Sequence, residues 1–491
     1  MYKNSNILKC GKYFAFLLAL FLVIAQSCKE PIDEPEPPKP NPHKNVNDWI
    51  LGEMEIYYLW NKEIPAKPDK TLKPDEFFKS LMHKDDRFSV IYENWAELSA
   101  SLSGVSKEAG YEFRFVGMAN SNDIFGYITY VKPKTPAQEA GLKRGDLFLR
   151  INNIQLDRDN YGTLMREMSK QHSLGLAKIV GNSISPTNSV TLDVIVYEEN
   201  PILLDTIYHI QEKKIGYFVY NFFARDSETG GITYEKELNN LFGRFRDEAI
   251  DELIIDLRYN GGGTSITARA LASMISGLST TDIFGYDEYN SLLHEHWSRT
   301  EGAGYNISYF LDNINSATER VPINKLSGLN RVHLIVSGGT ASASELVINV
   351  LRPYMGDGNV VLIGEKTYGK NVGSFLMYEE DSEKQKTNNW GMLPIVVRMS
   401  NKLHYSGYGN GFAPDIQLFE HYELEDMKQF GDIEEMLLSA TLDKIFGNTP
   451  KRAQSFDRQC EIIAHSLDYK PERKNMYIDI HDRKDRLPRR D

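Results

Sequence analysis

The sequence predicts an α/β core with a mixed sheet and covering helices, preceded by a small, mainly β domain and a short helical element. The core is indicated over 205–450, where apolar runs such as Ile215–Phe223 alternate with amphipathic stretches such as Glu235–Arg246. Residues 101–200 instead contain short alternating strands separated by turns, and residues 46–100 carry aromatic and aliphatic side chains at helical spacing. A chain of 491 residues is long enough for several such domains.

The composition excludes some classes of function. With 41% hydrophobic and 25% charged residues, the chain is typical of a globular protein. Its formal net charge of -12 leaves no basic face for neutralising phosphates, so we expect no nucleic-acid partner. The last segment, 451–491, is basic around Arg473 and Lys474, but acids are interleaved with these bases. We expect it to be a solvated C-terminal tail.

The beginning of the chain (1–27) is typical of a signal peptide. A basic stretch precedes the uncharged apolar run Tyr13–Ala25, and these 13 residues are too few to cross a bilayer comfortably. Small residues then lead directly to Cys28, which resembles the lipobox of bacterial lipoproteins, where the cysteine is acylated. The alternative is an ordinary cleaved signal followed by an incidental cysteine.

Residues 28–45 are rich in proline and acids and are expected to form an extended tether. Together with an acylated Cys28, this predicts an exported protein that is lipid-anchored in the cell envelope, at the outer membrane, and faces the periplasm or the cell surface. Only Cys460 would then remain unmodified in the mature chain, so no disulfide is predicted.

The mainly β domain contains a recognisable signature at Pro136–Asn153. Here a short helix would end at Gly141, and a turn at Gly145 would start the strand Leu147–Leu149. The segment resembles the signature of PDZ domains, which implies capture of extended peptides by strand addition. The residues expected to bind the peptide terminus are Gly110, Tyr111, Glu112 and Phe113. They lack the usual Gly-Leu-Gly-Phe form, and the alternative is a PDZ-like fold without a peptide site.

Three segments that carry reactive residues follow predicted strands of the core: Asp256–Gly263 (DLRYNGGG), Gly338–Glu345 (GGTASASE) and Gly364–Lys370 (GEKTYGK). Sheets of α/β proteins place their ligands at such strand ends. A serine at a strand-to-helix turn can point into a cleft beside helix amides that stabilise an oxyanion. It needs a base, and a buried lysine with a lowered pKa can serve.

Together these segments resemble the motifs of the C-terminal processing proteases, Ser–Lys peptidases that carry a PDZ-like domain. A fourth match, Gly411–Ile416, is similar to a segment near the end of that family's core. The resemblance covers about Val46–Gly447, with the motifs in the family's order. It implies a protease core, hydrolysis without a metal or a cofactor, and polypeptide substrates.

The resemblance also implies roles for individual residues. Ser342 is expected to be the catalytic nucleophile and Lys370 its base, and the backbone amides of Gly262 and Ala343 would form the oxyanion hole. Many members have a glutamine four residues after the lysine, where this chain has Ser374. The Ser374 hydroxyl could still bond the amine, so the orienting role stays open.

Other residues compete for these roles. Ser344 is the nearest rival nucleophile, and either serine could simply cap a helix. Lys366 is the rival base but is expected to be structural or to face solvent. His333, in an apolar strand, is expected to be a satisfied core or edge residue, while His404 remains an open candidate for a base. His294–His296 lacks the spacing of a zinc protease helix.

The predicted function is that of a serine endopeptidase that cleaves unfolded or C-terminally exposed polypeptides through an acyl-enzyme. A catalytically silent peptide-binding module is the alternative from another class, and an esterase or amidase acting on small molecules is a third. Residues 282–324, rich in aromatics and glycines, form either a lid or an ordinary surface excursion.

Overall fold

The computed structural model describes residues 41–118, 121–181, 183–227, 230–449 and 460–478. The predicted signal peptide, Cys28 and most of the tether lie outside these ranges. Within them, no helix has the length and apolar character needed to cross a membrane.

The N-terminal element is helical, as the sequence predicts, with one short strand added. Its elements are α1 (Lys44–Tyr57), α2 (Pro74–Leu81), β1 (Val90–Tyr92) and α3 (Trp95–Leu102). Pro74 suits the first turn of α2, and the Asn94 side chain caps α3 by accepting from two backbone amides. The buried faces of α1 and α2 join the main hydrophobic core through residues such as Ile50 and Phe77, so this element packs onto the α/β core.

The PDZ-like domain has a core of its own, built around Phe115, Phe148 and Leu174. Its elements are β2 (Val105–Glu108), β3 (Tyr111–Met118), β4 (Ile124–Val131), α4 (Pro136–Glu139), β5 (Leu147–Ile151), β6 (Ile154–Gln155), α5 (Tyr161–Glu167), β7 (His172–Val180), β8 (Ser183–Leu192) and β9 (Ile195–Glu198). Strands β3, β4, β5, β7 and β8 are neighbours in this order, while β2 pairs with β9.

The core domain alternates strands and helices, which confirms the predicted α/β class. Its elements are β10 (Ile202–Ile210), β11 (Lys213–Tyr220), α6 (Thr233–Asp247), β12 (Glu252–Asp256), β13 (Gly263–Thr264), α7 (Ser265–Ser276), β14 (Ile283–Tyr289), α8 (Ser291–Thr300), β15 (Ile307–Tyr309), β16 (Asn313–Asn315), β17 (Arg320–Pro322), β18 (Val332–Val336), α9 (Ala343–Met355), β19 (Val360–Gly364), β20 (Val372–Phe375), β21 (Met377–Tyr378), α10 (Ser382–Gln385), β22 (Gly391–Leu393), β23 (Ile395–Asn401), β24 (Ile416–Gln417) and α11 (Met436–Phe446).

The main sheet has the order β10-β11-β12-β18-β19-β24, and every pair from β11 onward is parallel. Both faces are covered. Leu253 and Leu334 face the core cluster that contains helices α6, α7 and α9, whereas Ile254 and Ile335 pack in the cluster that contains α11. Such double burial explains why these strands read as unbroken apolar runs in the sequence.

Residues 460–478 are not the solvated tail that the sequence suggested. They form β25 (Cys460–His465), which pairs antiparallel with β3, and β26 (Met476–Ile478), which lies between β13 and β20 and is parallel to both. A second six-stranded sheet results, in the order β13-β26-β20-β23-β14-β15. Met476 is fully buried there, and Arg473 forms a buried ion pair with Glu199. Burial of the apolar residues between the charges holds this segment in place.

Residues 282–324 belong to the packed core rather than to a loose cover. They supply β14 to the second sheet, and the side chains of Leu293 and Trp297 are fully buried. The hypothesis of a lid over the site therefore gains no support from their packing.

Candidate active site

The three segments singled out in the sequence meet at one edge of the main sheet. They follow β12, β18 and β19, which are parallel neighbours, so their carboxyl ends lie side by side. Backbone hydrogen bonds link them directly: Ala341 N–H donates to Asn260 O at 3.0 Å, and Tyr368 N–H donates to Thr340 O at 2.9 Å. The sheet topology therefore brings together the residues that the motifs predicted.

Ser342 occupies the turn between β18 and α9 in an uncommon backbone conformation. Its φ of 62° and ψ of -113° lie outside the regions that a non-glycine residue normally adopts, and such strain is concentrated at functional sites. The residue is 0% exposed, and its Oγ has no hydrogen-bond partner among the residues described. A buried hydroxyl without a partner is rare, and a reactive role is one of the accepted explanations.

Glu345 holds the two catalytic candidates together. Its Oε2 accepts hydrogen bonds from Ser342 N–H at 2.9 Å and from Lys370 N–H at 2.8 Å. Its Oε1 accepts from Gly369 N–H at 2.8 Å and from the Thr367 hydroxyl. Burial raises the pKa of Glu345, although the hydrogen bonds from these donors act to lower it. Sequence reasoning assigned this residue no role, although a glutamate three residues after a serine is the spacing of a capping box.

Lys370 carries the electrostatic property that a general base needs. Its side chain is 1% exposed, and burial lowers its pKa to about 7, while Asp86 and Glu345 oppose this by attraction. The centroid of the Phe88 ring lies 4.8 Å from Lys370 Nζ. Nζ donates a hydrogen bond to the side-chain oxygen of Asn475. A large fraction of the amine is therefore neutral near pH 7 and able to take a proton.

The two expected oxyanion amides differ in the structure. Gly262 approaches Ser342 so closely that a Cβ atom there would lie 2.7 Å from Ser342 Cβ, and its φ is +118°, so glycine is required. However, its N–H donates to Asn260 Oδ1 at 2.9 Å, which differs from the expectation that it faces a substrate. Ala343 provides the first amide of α9, for which a helix offers no internal acceptor. It remains the oxyanion candidate.

The rivals of Ser342 and Lys370 are placed less favourably. The Ser344 hydroxyl donates to Asn260 O at 3.2 Å, and Lys366 is exposed to solvent. Ser374 Oγ is buried and has no hydrogen-bond partner within the described ranges, so it does not bond the amine as the sequence analysis allowed. The side chain that Lys370 Nζ does contact is that of Asn475, which sequence reasoning missed.

The histidines have other surroundings. His333 Nε2 lies 3.2 Å from Glu252 Oε2 inside the sheet, as expected of a core residue, but its Nδ1 has no hydrogen-bond partner among the described residues. His404 stacks on Tyr286 with ring centroids 4.0 Å apart. In the part of the chain that the structure describes, no group of three His, Cys, Asp or Glu side chains could hold a metal ion.

The peptide site expected in the PDZ-like domain is partly filled by the chain itself. Gly110 has a φ of +91° and leads into β3, but β25 already pairs with β3, with His465 opposite Arg114. Phe113 N–H also donates to Ser466 Oγ at 3.2 Å. Beside this strand a cavity of about 340 Å³ remains. Its apolar lining is formed by Tyr111, Phe113, Met165 and Met168.

Arg114 connects the PDZ-like domain to the catalytic loops. From β3 it donates to Ser337 Oγ at 2.8 Å and to Glu365 Oε1 at 3.0 Å, and these two residues begin the loops after β18 and β19. Its Nε donates to His465 Nδ1 at 3.1 Å. One fully buried guanidinium thus contacts both loops and the C-terminal segment.

Three family models match the chain. The peptidase S41 N-terminal domain matches residues 45–90, a PDZ domain matches 127–172, and peptidase family S41 matches 214–417. The two S41 models together cover more than half of the chain. The chain belongs to peptidase family S41. This S41 protein is therefore a protease with a PDZ domain, and the family predicted from the motifs is confirmed.

One solved structure has a similar fold. A crystal structure of a Bacteroides fragilis protein assigned to the S41 proteases has a TM-score of 0.62 and 25% identity, with 81% of this chain and 97% of that chain covered. The photosystem II D1 C-terminal processing protease gives a TM-score of 0.44 and 16% identity, with 78% of this chain and 95% of that chain covered. No curated protein sequence matches the chain.

Proposed function

We propose that this S41 peptidase is a serine endopeptidase with Ser342 as nucleophile and Lys370 as base. The observation that carries the proposal is the pairing made by Glu345. One carboxylate oxygen binds the backbone amides of both residues, so an unpartnered buried hydroxyl and a buried amine with a pKa of about 7 share one site. A nucleophile and a base close together are what acyl transfer requires.

The chemistry follows from these positions. Ser342 Oγ attacks the substrate carbonyl carbon while Lys370 Nζ takes the hydroxyl proton. The Ala343 amide, at the positive end of α9, stabilises the negative oxygen of the tetrahedral intermediate. The intermediate collapses when Lys370 returns the proton to the leaving amine, which leaves an ester on Ser342. A water molecule, deprotonated by Lys370, then hydrolyses this ester and frees the serine.

We propose unfolded or C-terminally exposed polypeptides as substrates. Both catalytic side chains are buried, so a folded protein surface would not reach them, whereas an extended chain is far narrower and needs a smaller opening. The apolar cavity beside β3 suits the side chain of a peptide bound to the PDZ domain. A small-molecule esterase would have no use for this second site.

The test is degradation of fluorescent casein by the full-length chain in detergent, together with labelling by a fluorophosphonate probe. We expect Ser342→Ala and Lys370→Ala to abolish cleavage. Matched controls are Ser344→Ala, two residues from the nucleophile, and Lys366→Ala on the lysine loop, both of which should stay active. We expect the probe to mark Ser342 in peptide mapping.

Cleavage that survives Ser342→Ala would overturn the nucleophile assignment. A parent protein that binds casein but neither cleaves it nor reacts with the probe would favour the alternative, a catalytically silent peptide-binding module.

We also propose that the protein is exported and lipid-anchored through Cys28. The support is the sequence alone, in the basic stretch, the short apolar run and the small residues before the cysteine. Labelled palmitate should be incorporated by the parent and not by Cys28→Ala, and that variant should leave the membrane fraction. Equal labelling of both proteins would contradict the anchor.

A further inference from the structure

The amine of Lys370 is held from an unexpected part of the chain. Among the hydrogen bonds of the described residues, Nζ makes one, to the side-chain oxygen of Asn475. Asn475 lies 105 residues later in the sequence and is 2% exposed. Ser374, four residues after Lys370, leaves its hydroxyl without a partner in these same ranges. The side-chain partner of the amine therefore comes from the C-terminal segment and not from the strand that follows Lys370.

Asn475 is fixed in this position by its neighbours on both sides. Its backbone N–H donates to Glu472 O at 3.1 Å, and the next residue, Met476, is fully buried and begins β26. In β26, Met476 pairs with Gly263 and Tyr477 pairs with Ser374. The strand thus lies between the glycine loop beside Ser342 and the strand that follows Lys370. An element held in a sheet in this way is suited to hold an amine in one orientation.

The chemistry of the contact is suitable for a general base. An amide oxygen only accepts hydrogen bonds, so it takes an N–H of Lys370 and leaves the nitrogen lone pair free for the Ser342 proton. An amide is also uncharged. A carboxylate in its place would attract the ammonium form and oppose the effect of burial.

We propose that Asn475 is the positioning residue of Lys370, so that residues 460–478 complete the active site of the protease. The inference rests on the proposed Ser342–Lys370 dyad. Asn475 acts through the lysine and does not itself react with the substrate.

The experiment compares three variants of the full-length protein by casein cleavage across pH 5.5 to about 10. We expect Asn475→Ala to lower kcat by about 10- to 100-fold with little change in KM, because a displaced base loses its near-attack geometry. We expect the nearly isosteric Asn475→Asp to move the rising limb of the pH profile up by about one to three units, because a carboxylate favours the ammonium form. Ser374→Ala should leave that limb in place.

A control separates positioning from stability. Met476→Ala removes a buried side chain from the same strand and should lower Tm, but it should not move the rising limb, since it changes no charge near Lys370. Asn475→Asp moves the limb through an electrostatic effect that a merely structural role would not produce.

Two outcomes overturn the inference while the Ser342-dependent activity of the parent stands. One is that Asn475→Ala and Asn475→Asp keep the kcat and the pH profile of the parent. The other is that they become more active, which would mean that the segment obstructs the cleft. If the parent's cleavage does not depend on Ser342, the proposed function itself fails, and the inference fails with it.

Discussion

Two buried lysines, one in the PDZ domain and one in the protease core, have opposite surroundings. Lys132 and Lys370 are each 1% exposed. The Nζ atom of Lys132 lies 2.6 to 2.9 Å from the carboxylates of Glu108, Glu112 and Glu199, whereas that of Lys370 bonds an uncharged amide. The two amines are thus equally buried, but only that of Lys132 is paired with carboxylates.

The pairing decides the charge. Burial lowers the pKa of both amines, but at Lys132 the three carboxylates outweigh it and hold the pKa well above its ordinary value. At Lys370 the attraction of Asp86 and Glu345 is too weak, and the pKa falls to about 7. The first lysine is a permanent structural cation, and the second can exchange a proton at physiological pH. Burial by itself does not distinguish a structural charge from a catalytic one.

The largest expected effect is the loss of activity when Lys370 is replaced by an apolar side chain of similar length. We expect Lys370→Met to lower kcat for casein by about 1,000-fold or more, since a general base contributes about 100- to 10,000-fold. The same variant should be more stable than the parent at pH 7, because it removes a buried amine that is costly to protonate. Casein cleavage and chemical denaturation, measured on the same preparation, check the lower kcat and the higher stability. A less stable Lys370→Met would contradict the interpretation.

The corresponding change in the PDZ domain should act in the opposite direction on stability. We expect Lys132→Met to lower the free energy of unfolding by about 3–5 kcal/mol, because it leaves buried carboxylates without their shared cation. The control is Lys170→Met, whose exposed ion pair with Glu167 should contribute less than about 1 kcal/mol. Equal losses from the two variants would show that the Lys132 cluster is not a structural centre.

The pH dependence of activity and of stability should report the lowered pKa of Lys370. Below pH 7 the amine is protonated, so we expect kcat/KM to fall about tenfold for each pH unit. Between about 7 and its ordinary pKa of 10.5, the unfolded chain binds a proton that the folded chain does not, so stability should rise with pH there. Below pH 7 the burial of the charged Lys370 amine lowers the free energy of unfolding by its full amount, about 5 kcal/mol. Denaturation curves at pH 7 and 9, compared with those of Lys370→Met, test the sign.

The sequence was most informative where chemistry follows a strand. Ser342 and Lys370 lie in the loops that follow the apolar strands β18 and β19, and parallel pairing alone places such strand ends together. Glu345 was visible in the same motif, but its bonds to both loops depend on side-chain directions that a linear pattern does not carry.

The C-terminal segment shows why the rest could not be predicted. β26 has three residues, flanked by charges such as Arg473 and Lys474, and periodicity needs a longer run to be recognised. The partner of Asn475 is 105 residues away, and nothing local to either residue indicates their contact. Long-range pairing of this kind is decided by the packing of the whole sheet.

Because β26 lies far along the chain, it is synthesised later than the strands that it joins in the second sheet. A growing polypeptide presents β13, Ser342, Lys370 and β20 before β26, the strand that lies between β13 and β20 in the second sheet. At about 5–20 residues per second, the ribosome needs roughly 5–20 s to add the stretch from Lys370 to Asn475. During that interval the sheet has a gap where β26 belongs. Under the proposed role of Asn475, a nascent copy holds no positioned base at Lys370 until Asn475 has been added.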